Sequence, residues 1–316
     1  MVGAGVVGLT TAVRLAEAGR SVLVRARELP SETTSFAAGA MWWPLWAAHE
    51  RVPEWSEQTL RAMREMADDP RAGIQWVSGL EAARFPTEPP ELVTRVDGFV
   101  RCDAAELPDG FVSGWRYTVP VVNMPRYLAY LQQRLVAAGG RIELGEVGSL
   151  ADPSINADVV INCTGIGART LVPDGGLVPV RGQLVVVRNP GIDQFFAEYG
   201  ESTADGGSTP ELTYILPQGD HVILGGTAEK GRSDSAADPD LAAAIVRRCA
   251  AIEPTLLDAL VIGHRIGLRP DRGQVRLELV DVGDRKVIHN YGHGGGGVTL
   301  SWGCASDIVA MVLGLD

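Results

Sequence analysis

The stretch Val2-Gly-Ala-Gly-Val-Val-Gly-Leu-Thr-Thr-Ala-Val-Arg-Leu-Ala-Glu-Ala-Gly19 decides how this chain is read. Gly3, Gly5 and Gly8 make a GxGxxG pattern. From Leu9 onward apolar residues recur at helical spacing until Gly19, which stands where a helix-terminating glycine belongs. Ser21-Val-Leu-Val24 follows as a short buried strand, and Glu28 lies twenty residues beyond Gly8. In that order the glycines permit a tight turn, close backbone approach to a pyrophosphate, and close packing of helix on strand. The helix start offers N–H groups and a positive dipole end to phosphates, and an acid such as Glu28 accepts from ribose hydroxyls. The segment therefore reads as a βαβ dinucleotide site. One feature departs from the pattern. Only Met1 and Val2 precede Gly3, where a first strand of roughly five residues is expected.

The rest of the composition agrees with a globular protein. The 316 residues suffice for one large domain or two that share a core, with 46% hydrophobic and 21% charged residues. The net charge of −11 and the lack of a basic block argue against nucleic acid as partner. No run of 18 apolar residues occurs, so neither a membrane span nor a signal peptide is expected. Cys102, Cys163, Cys249 and Cys304 are scattered without a CxxC pair and read as free thiols in a reducing cytoplasm.

Further along, Thr33-Thr-Ser-Phe-Ala-Ala-Gly-Ala-Met-Trp-Trp-Pro44 runs from small residues into Trp42, Trp43 and Trp46. It is either a loop entering a packed tryptophan cluster or a backbone-rich loop beneath a flat ligand. Residues 47–122, rich in Pro, Glu and Arg, read as loops and helices without a motif. Pro125 to Ala138 is an amphipathic helix. "RIELGEV" and "ADVVINC" add two Rossmann-type strands, the second ending in small residues that suit a site at a strand's carboxyl end. From Gly182 to Gly226 the pattern becomes antiparallel, and Glu201–Pro210 is a hairpin tip or lid. Asp238 to Arg248 is a helix, and Val298 to Leu313 is the last one. The expected fold is α/β: a discontinuous Rossmann-like unit (1–47, 140–182, 262–316) with an interleaved, mainly antiparallel substrate unit (48–139, 183–261).

GAGVVGLTTA, TTSFAAGAMWWP, VINCTGIGAR, VRGQLVVV, TYILP, GLRPDRGQVRLE and HNYGHGGGGVTLSWGCA occur in this order from Gly3 to the C-terminus. On these motifs the chain resembles the D-amino acid oxidases. The resemblance implies non-covalent FAD. Its pyrophosphate would lie at Gly3, Ala4, Gly5, Val6, Val7 and Gly8, with the adenosine ribose near Arg27 and Glu28. Thr33, Thr34, Ala38 and Gly39 match the loop around pyrophosphate and flavin, and Val147, Thr164, Gly165 and Gly167 match further contacts. Gly294, Gly295, Gly297, Val298 and Thr299 match the segment along the flavin ring. Side chains there would collide with the ring, and the N–H groups would stabilise negative charge on the reduced flavin.

The same resemblance implies oxidative deamination. A neutral D-amino acid gives up hydride from Cα to flavin N5, and 2-oxo acid, ammonia and, with O2 as acceptor, hydrogen peroxide result. Arg269 of "GLRP" would hold the carboxylate, a bidentate task that suits arginine. Tyr214 of "TYILP" would assist it, and the Gly295 carbonyl would accept from the amine. No acid/base side chain is required. His289 and His293 read as structural, and Arg272 and Arg276 as ion-pair residues. Pro210 stands where mammalian relatives carry a second tyrosine, so an open entrance is expected. Gly296 replaces a bulkier residue, so a roomier pocket for larger apolar side chains is expected. No serine in Gly294–Gly297 and no arginine in the lid favour neutral over acidic substrates. The alternatives are a D-amino acid or glycine-type flavin dehydrogenase, a D-aspartate oxidase, an NAD-binding module, and a flavoprotein without turnover. The sequence leaves monomer or homodimer open.

Overall fold

The computed structural model describes residues 1–43, 48–152, 155–200 and 213–315. Trp46, Pro210 and the expected lid at Glu201–Pro210 lie outside these residues. In chain order the strands are β1 (Leu23–Ala26), β2 (Ile74–Ala83), β3 (Val100–Arg101), β4 (Ser113–Val122), β5 (Arg141–Leu144), β6 (Val159–Asn162) and β7 (Val178–Arg188). They continue as β8 (Phe195–Glu198), β9 (Tyr214–Gln218), β10 (His221–Gly225), β11 (Glu229–Lys230), β12 (Val261–Asp271), β13 (Arg276–Val282) and β14 (Arg285–Tyr291).

The turn at Gly3 is entered through Val2. Val2 bridges Arg25 and Asn162, both in parallel sense. Its N–H donates to Ile161 O at 2.8 Å, the N–H of Gly3 donates to Arg25 O at 2.9 Å, and that of Cys163 donates to Val2 O at 2.8 Å. Two residues thus stand between β1 and β6 and join two small sheets: β1 with β5, and β6 with β14 and β13. All contacts along this series are parallel except β13–β14. Helix Val6–Glu17 leaves the segment at Gly5 and packs against helix Gly297–Leu313. Leu9, Ala12, Val13 and Ile308 are wholly buried between them.

The second layer is a nine-stranded sheet in the order β11-β7-β10-β9-β8-β2-β4-β3, with β12 also paired to β7. Its pairs are antiparallel except β2–β8. Residues 47–122, which read as loops and helices, supply two of its ten-residue strands, β2 and β4. The second half of β2 is buried on both faces and so loses the alternation that marks a half-buried strand. Pro120 masks β4, yet it lies beyond the reach of β3, on the edge where only the short segment at Met41 pairs and the N–H of Trp42 donates to Pro120 O at 2.9 Å. β7 and β12 pair along their whole length, so the expected boundaries at 182/183 and 261/262 fall within hydrogen-bonded strands. Their cavity-facing residues and those of the Rossmann-like layer meet in one cleft.

Candidate active site

The cleft is a cavity of about 1020 Å³ between the two layers, at the upper end of the ~300–1,000 Å³ usual for ligand sites. Gly3, Ala4, Gly5, Val6 and Val7 line one end. Gly3 has φ +104°, and a Cβ there would lie 2.4 Å from Cys163 O. A Cβ on Gly8 would meet Gly3 O at 2.2 Å, so Gly8 packs beneath the turn and not on the wall. Only glycine allows this tight approach. Arg27 and Glu28 stand at the rim, with Arg27 Nε donating to Glu28 Oε1 at 3.0 Å. Thr33, Thr34, Ala38, Gly39, Val147, Thr164, Gly165 and Gly167 line the middle. Thr34 Oγ1 is fastened to the backbone of Leu268 at 3.2 Å, which ties this loop to the strand that carries Arg269.

Gly294, Gly295, Gly297 and Val298 also line the cavity, Gly297 beside Val6 and Val7, and Gly294 takes φ +54°. They lead into helix Gly297–Leu313, whose N-terminus carries no side-chain cap. At the N-terminus of helix Val6–Glu17 the flanking Gly5 offers no side-chain cap, and the Val6 N–H donates to Ser35 Oγ at 2.9 Å. Both helices therefore direct positive dipole ends at one cavity, an arrangement suited to a dinucleotide phosphate and to a developing negative charge. Thr299 lies just behind the wall, its hydroxyl held between the N–H (3.0 Å) and the carbonyl (3.1 Å) of Trp43. Asn290 also lines the cavity, and its Oδ1 is buried without a hydrogen-bond partner. The glycine cradle and the two helix starts fit FAD.

Arg269 and Tyr214 meet at the other end. Arg269 Nη1 donates to Thr227 O at 2.9 Å, and the phenol of Tyr214 is hydrogen-bonded to the guanidinium. Burial raises the Tyr214 pKa, while Arg269 works against the rise, so the phenol stays a neutral donor. Three glycines make room for the pair. A Cβ on Gly182 would lie 2.6 Å from Arg269 Nη1, and one on Gly225 would lie 1.9 Å from the Tyr214 ring. A Cβ on Gly226 would reach the Tyr214 hydroxyl at 2.8 Å. Sequence reasoning missed Gly182, Gly225, Gly226 and Thr227, although "RGQ" and "GGT" placed glycines at strand positions where packing side chains are usual.

The remaining candidates are elsewhere engaged. Arg272 Nε pairs with Asp174 at 3.0 Å and Arg276 Nε with Glu278 at 2.6 Å. His289 Nδ1 faces Asn162 Nδ2 at 3.2 Å, and His293 Nε2 faces Cys304 Sγ at 3.6 Å. Burial lowers both imidazoles to about 4, so they are neutral near pH 7. Trp42 is packed in the core, whereas Trp43 is both packed and part of the cavity wall. Both readings of the tryptophan loop thus apply to adjacent residues.

Residues 1–311 match the family of FAD-dependent oxidoreductases that includes the D-amino acid oxidases. The chain belongs to the D-amino acid oxidase family. It is 48% identical over 315 residues to the D-amino-acid oxidase of Rubrobacter xylanophilus, covering 98% of this chain and 94% of that one. It is 44% identical over 322 residues to that of Streptomyces coelicolor, covering 97% and 94%. The glycine oxidase of Bacillus cereus has a similar fold, with TM-score 0.81 at 18% identity over all of this chain and 94% of that one. The cofactor of this family member is FAD. Among the described residues no helix is long and apolar enough to cross a membrane.

Proposed function

We propose that the protein is a D-amino acid oxidase that converts neutral D-amino acids, water and O2 to 2-oxo acid, ammonia and hydrogen peroxide. The observation that carries this reading is the Arg269–Tyr214 pair, built into the cavity wall at the end away from the dinucleotide turn. FAD, when bound, supplies the acceptor for the hydride that leaves Cα. Arg269 takes the substrate carboxylate through two parallel N–H donors, and Tyr214 adds a third. The Gly295 carbonyl accepts from the amine and, with the held carboxylate, turns the single Cα–H of a D-enantiomer toward where the cofactor would lie. With His289 and His293 neutral near pH 7, the reaction is run by orientation, the amine entering uncharged.

The proposed cofactor contacts are Gly3–Val7, Arg27, Glu28, Thr33, Thr34, Ala38, Gly39, Val147, Thr164, Gly165, Gly167, Gly294, Gly295, Gly297 and Val298, with Gly8 and Thr299 packed behind them. They fall in a proposed cofactor unit of residues 1–47, 140–182 and 262–316, which shares the paired strands β7 and β12 with a substrate unit of 48–139 and 183–261. Met41, Trp43, Leu184 and Leu216 give the substrate end an apolar lining, which favours neutral side chains over a second carboxylate. The four cysteines are free, in keeping with a cytoplasmic enzyme. A homodimer is the proposed assembly, tested by sedimentation velocity. The activity is tested by peroxide release in air from D-alanine and D-methionine, with none from their L-enantiomers. Oxidation of the D-forms with an artificial acceptor but without peroxide would favour a dehydrogenase instead.

A further inference from the structure

Glu81 has no solvent exposure and lies in β2. Trp43 Nε1 donates to its Oε1 at 2.7 Å. Trp115 Nε1 at 2.7 Å and the Tyr117 hydroxyl at 3.0 Å donate to Oε2. Burying a carboxylate is costly even with partners, and an apolar side chain of similar volume is often neutral or stabilising in its place. Burial has pushed this one up to about 7, against the three donors. The reaction makes no use of Glu81 itself, which does not reach the cavity wall. Trp43, its donor, does.

Trp43 packs in the same apolar cluster as Met41, Leu184, Leu216 and Tyr214, all of which line the substrate end. Its backbone is clamped on both sides by the Thr299 hydroxyl, in the first turn of the helix that starts at the cavity. With the backbone fixed, the indole retains only rotation about its two side-chain torsions. The hydrogen bond to Glu81 selects one of those rotamers. Trp115 and Tyr117, holding the other oxygen, stop the carboxylate from turning with it. Glutamine cannot replace this arrangement, because its amide N–H₂ would face at least one N–H or O–H donor.

We propose that Glu81 is a positioning residue for substrate selection: through Oε1 it locks the Trp43 indole as the rigid wall that limits side-chain size. The inference rests on the D-amino acid oxidase reading for the identity of the ligand that meets this wall.

The test uses the oxidised holoenzyme titrated with acetate, benzoate and 2-naphthoate, read by perturbation of the cofactor's visible spectrum. In Glu81→Gln the ratio of Kd for acetate to Kd for 2-naphthoate rises about fivefold, the scale of one coupled hydrogen bond. Trp43→Phe, which removes the same bond from the other side, moves the ratio in the same direction. In the Trp43→Phe background Glu81→Gln moves it by less than about twofold, because the coupled partner is already gone. The kcat/KM ratio of D-phenylalanine to D-alanine follows the binding ratio. An unchanged ratio in either single variant, or a full shift that persists in the double variant, overturns the inference alone. A wild type that binds none of the three carboxylates overturns the substrate-site reading, and the inference with it.

Discussion

Arg269 is a cation placed where the protein gives it only part of what it needs. One of its N–H groups has Thr227 O, the Tyr214 phenol sits beside it, and the remaining donors face the cavity. A carboxylate completes the set. Arg269→Lys keeps the charge and loses the fork, and a charge-assisted hydrogen bond contributes about 1.5–3 kcal/mol. Steady-state assays should therefore show kcat/KM for D-alanine falling about 10- to 100-fold. Tyr214→Phe removes a neutral donor and should cost less, about 3- to 10-fold and mainly in KM. Gly225→Ala makes a sharper test of the pocket's construction. Its Cβ would overlap the Tyr214 ring, so its kinetic profile should fall at least as far as that of Tyr214→Phe. Kinetics like the wild type would show that the ring's place is not set by that glycine.

At the scale of elements, the site is made by turns and helix starts more than by side chains. Gly3, Gly8 and Gly294 allow backbone to come where a Cβ would block it or where φ is positive. Gly8→Val should leave the nine-stranded sheet intact, since its side chain would press on Gly3 O at the turn. The turn should open, and the Kd for FAD should rise at least about 10-fold, a cost of ~1.4 kcal/mol in a tight contact. Fluorescence titration of the apoprotein with FAD reads this directly, and an unchanged Kd would mean the pyrophosphate lies elsewhere. This element was legible in the sequence because its physics is local: three glycines, a helix, a strand and an acid at fixed spacing. Helices Met124–Ala137 and Pro239–Ala250 were legible for the same reason, with Asn123 and Asp238 as their N-caps. β2 and β4 were not, since a strand buried on both faces carries no alternation and Pro120 argues against a strand. The role of Gly182 and Gly225 was invisible too. Gly182 makes room for Arg269, which comes from β12, distant in sequence; Gly225 faces Tyr214 across the β9–β10 pair, and only the assembled sheet brings the two side chains together.

For the whole molecule, three buried titratable groups set opposing pH slopes. His289 and His293, lowered to about 4 from 6.5, bind fewer protons folded than unfolded. Their contribution is present above pH 6.5 and is lost as pH falls through about 4. Glu81 has the opposite sign. Raised to about 7 from 4.5, it binds more protons folded than unfolded. Its contribution is present below pH 4.5 and is lost as pH rises through about 7. The stability difference between wild type and Glu81→Gln should therefore shrink by roughly 3 kcal/mol from pH 4.5 to pH 7.5. Urea unfolding of the two proteins at several pH values measures it, and a flat difference would mean that Glu81 stays ionised throughout. FAD should also add to stability, about 2.7 kcal/mol when free cofactor is 100 times Kd. Two Rossmann-like helices and the wall that faces them close on the same cavity, so the cofactor acts across both layers.

The most direct test of the central claim is anaerobic mixing of the yellow holoenzyme with D-methionine or L-methionine, followed by air. The account predicts bleaching of the visible band by the D-enantiomer alone, then its return on aeration with one peroxide per substrate oxidised. Bleaching by the L-enantiomer, or none by any neutral D-amino acid, would contradict the assignment of Arg269, Tyr214 and Gly295 as the groups that orient the substrate.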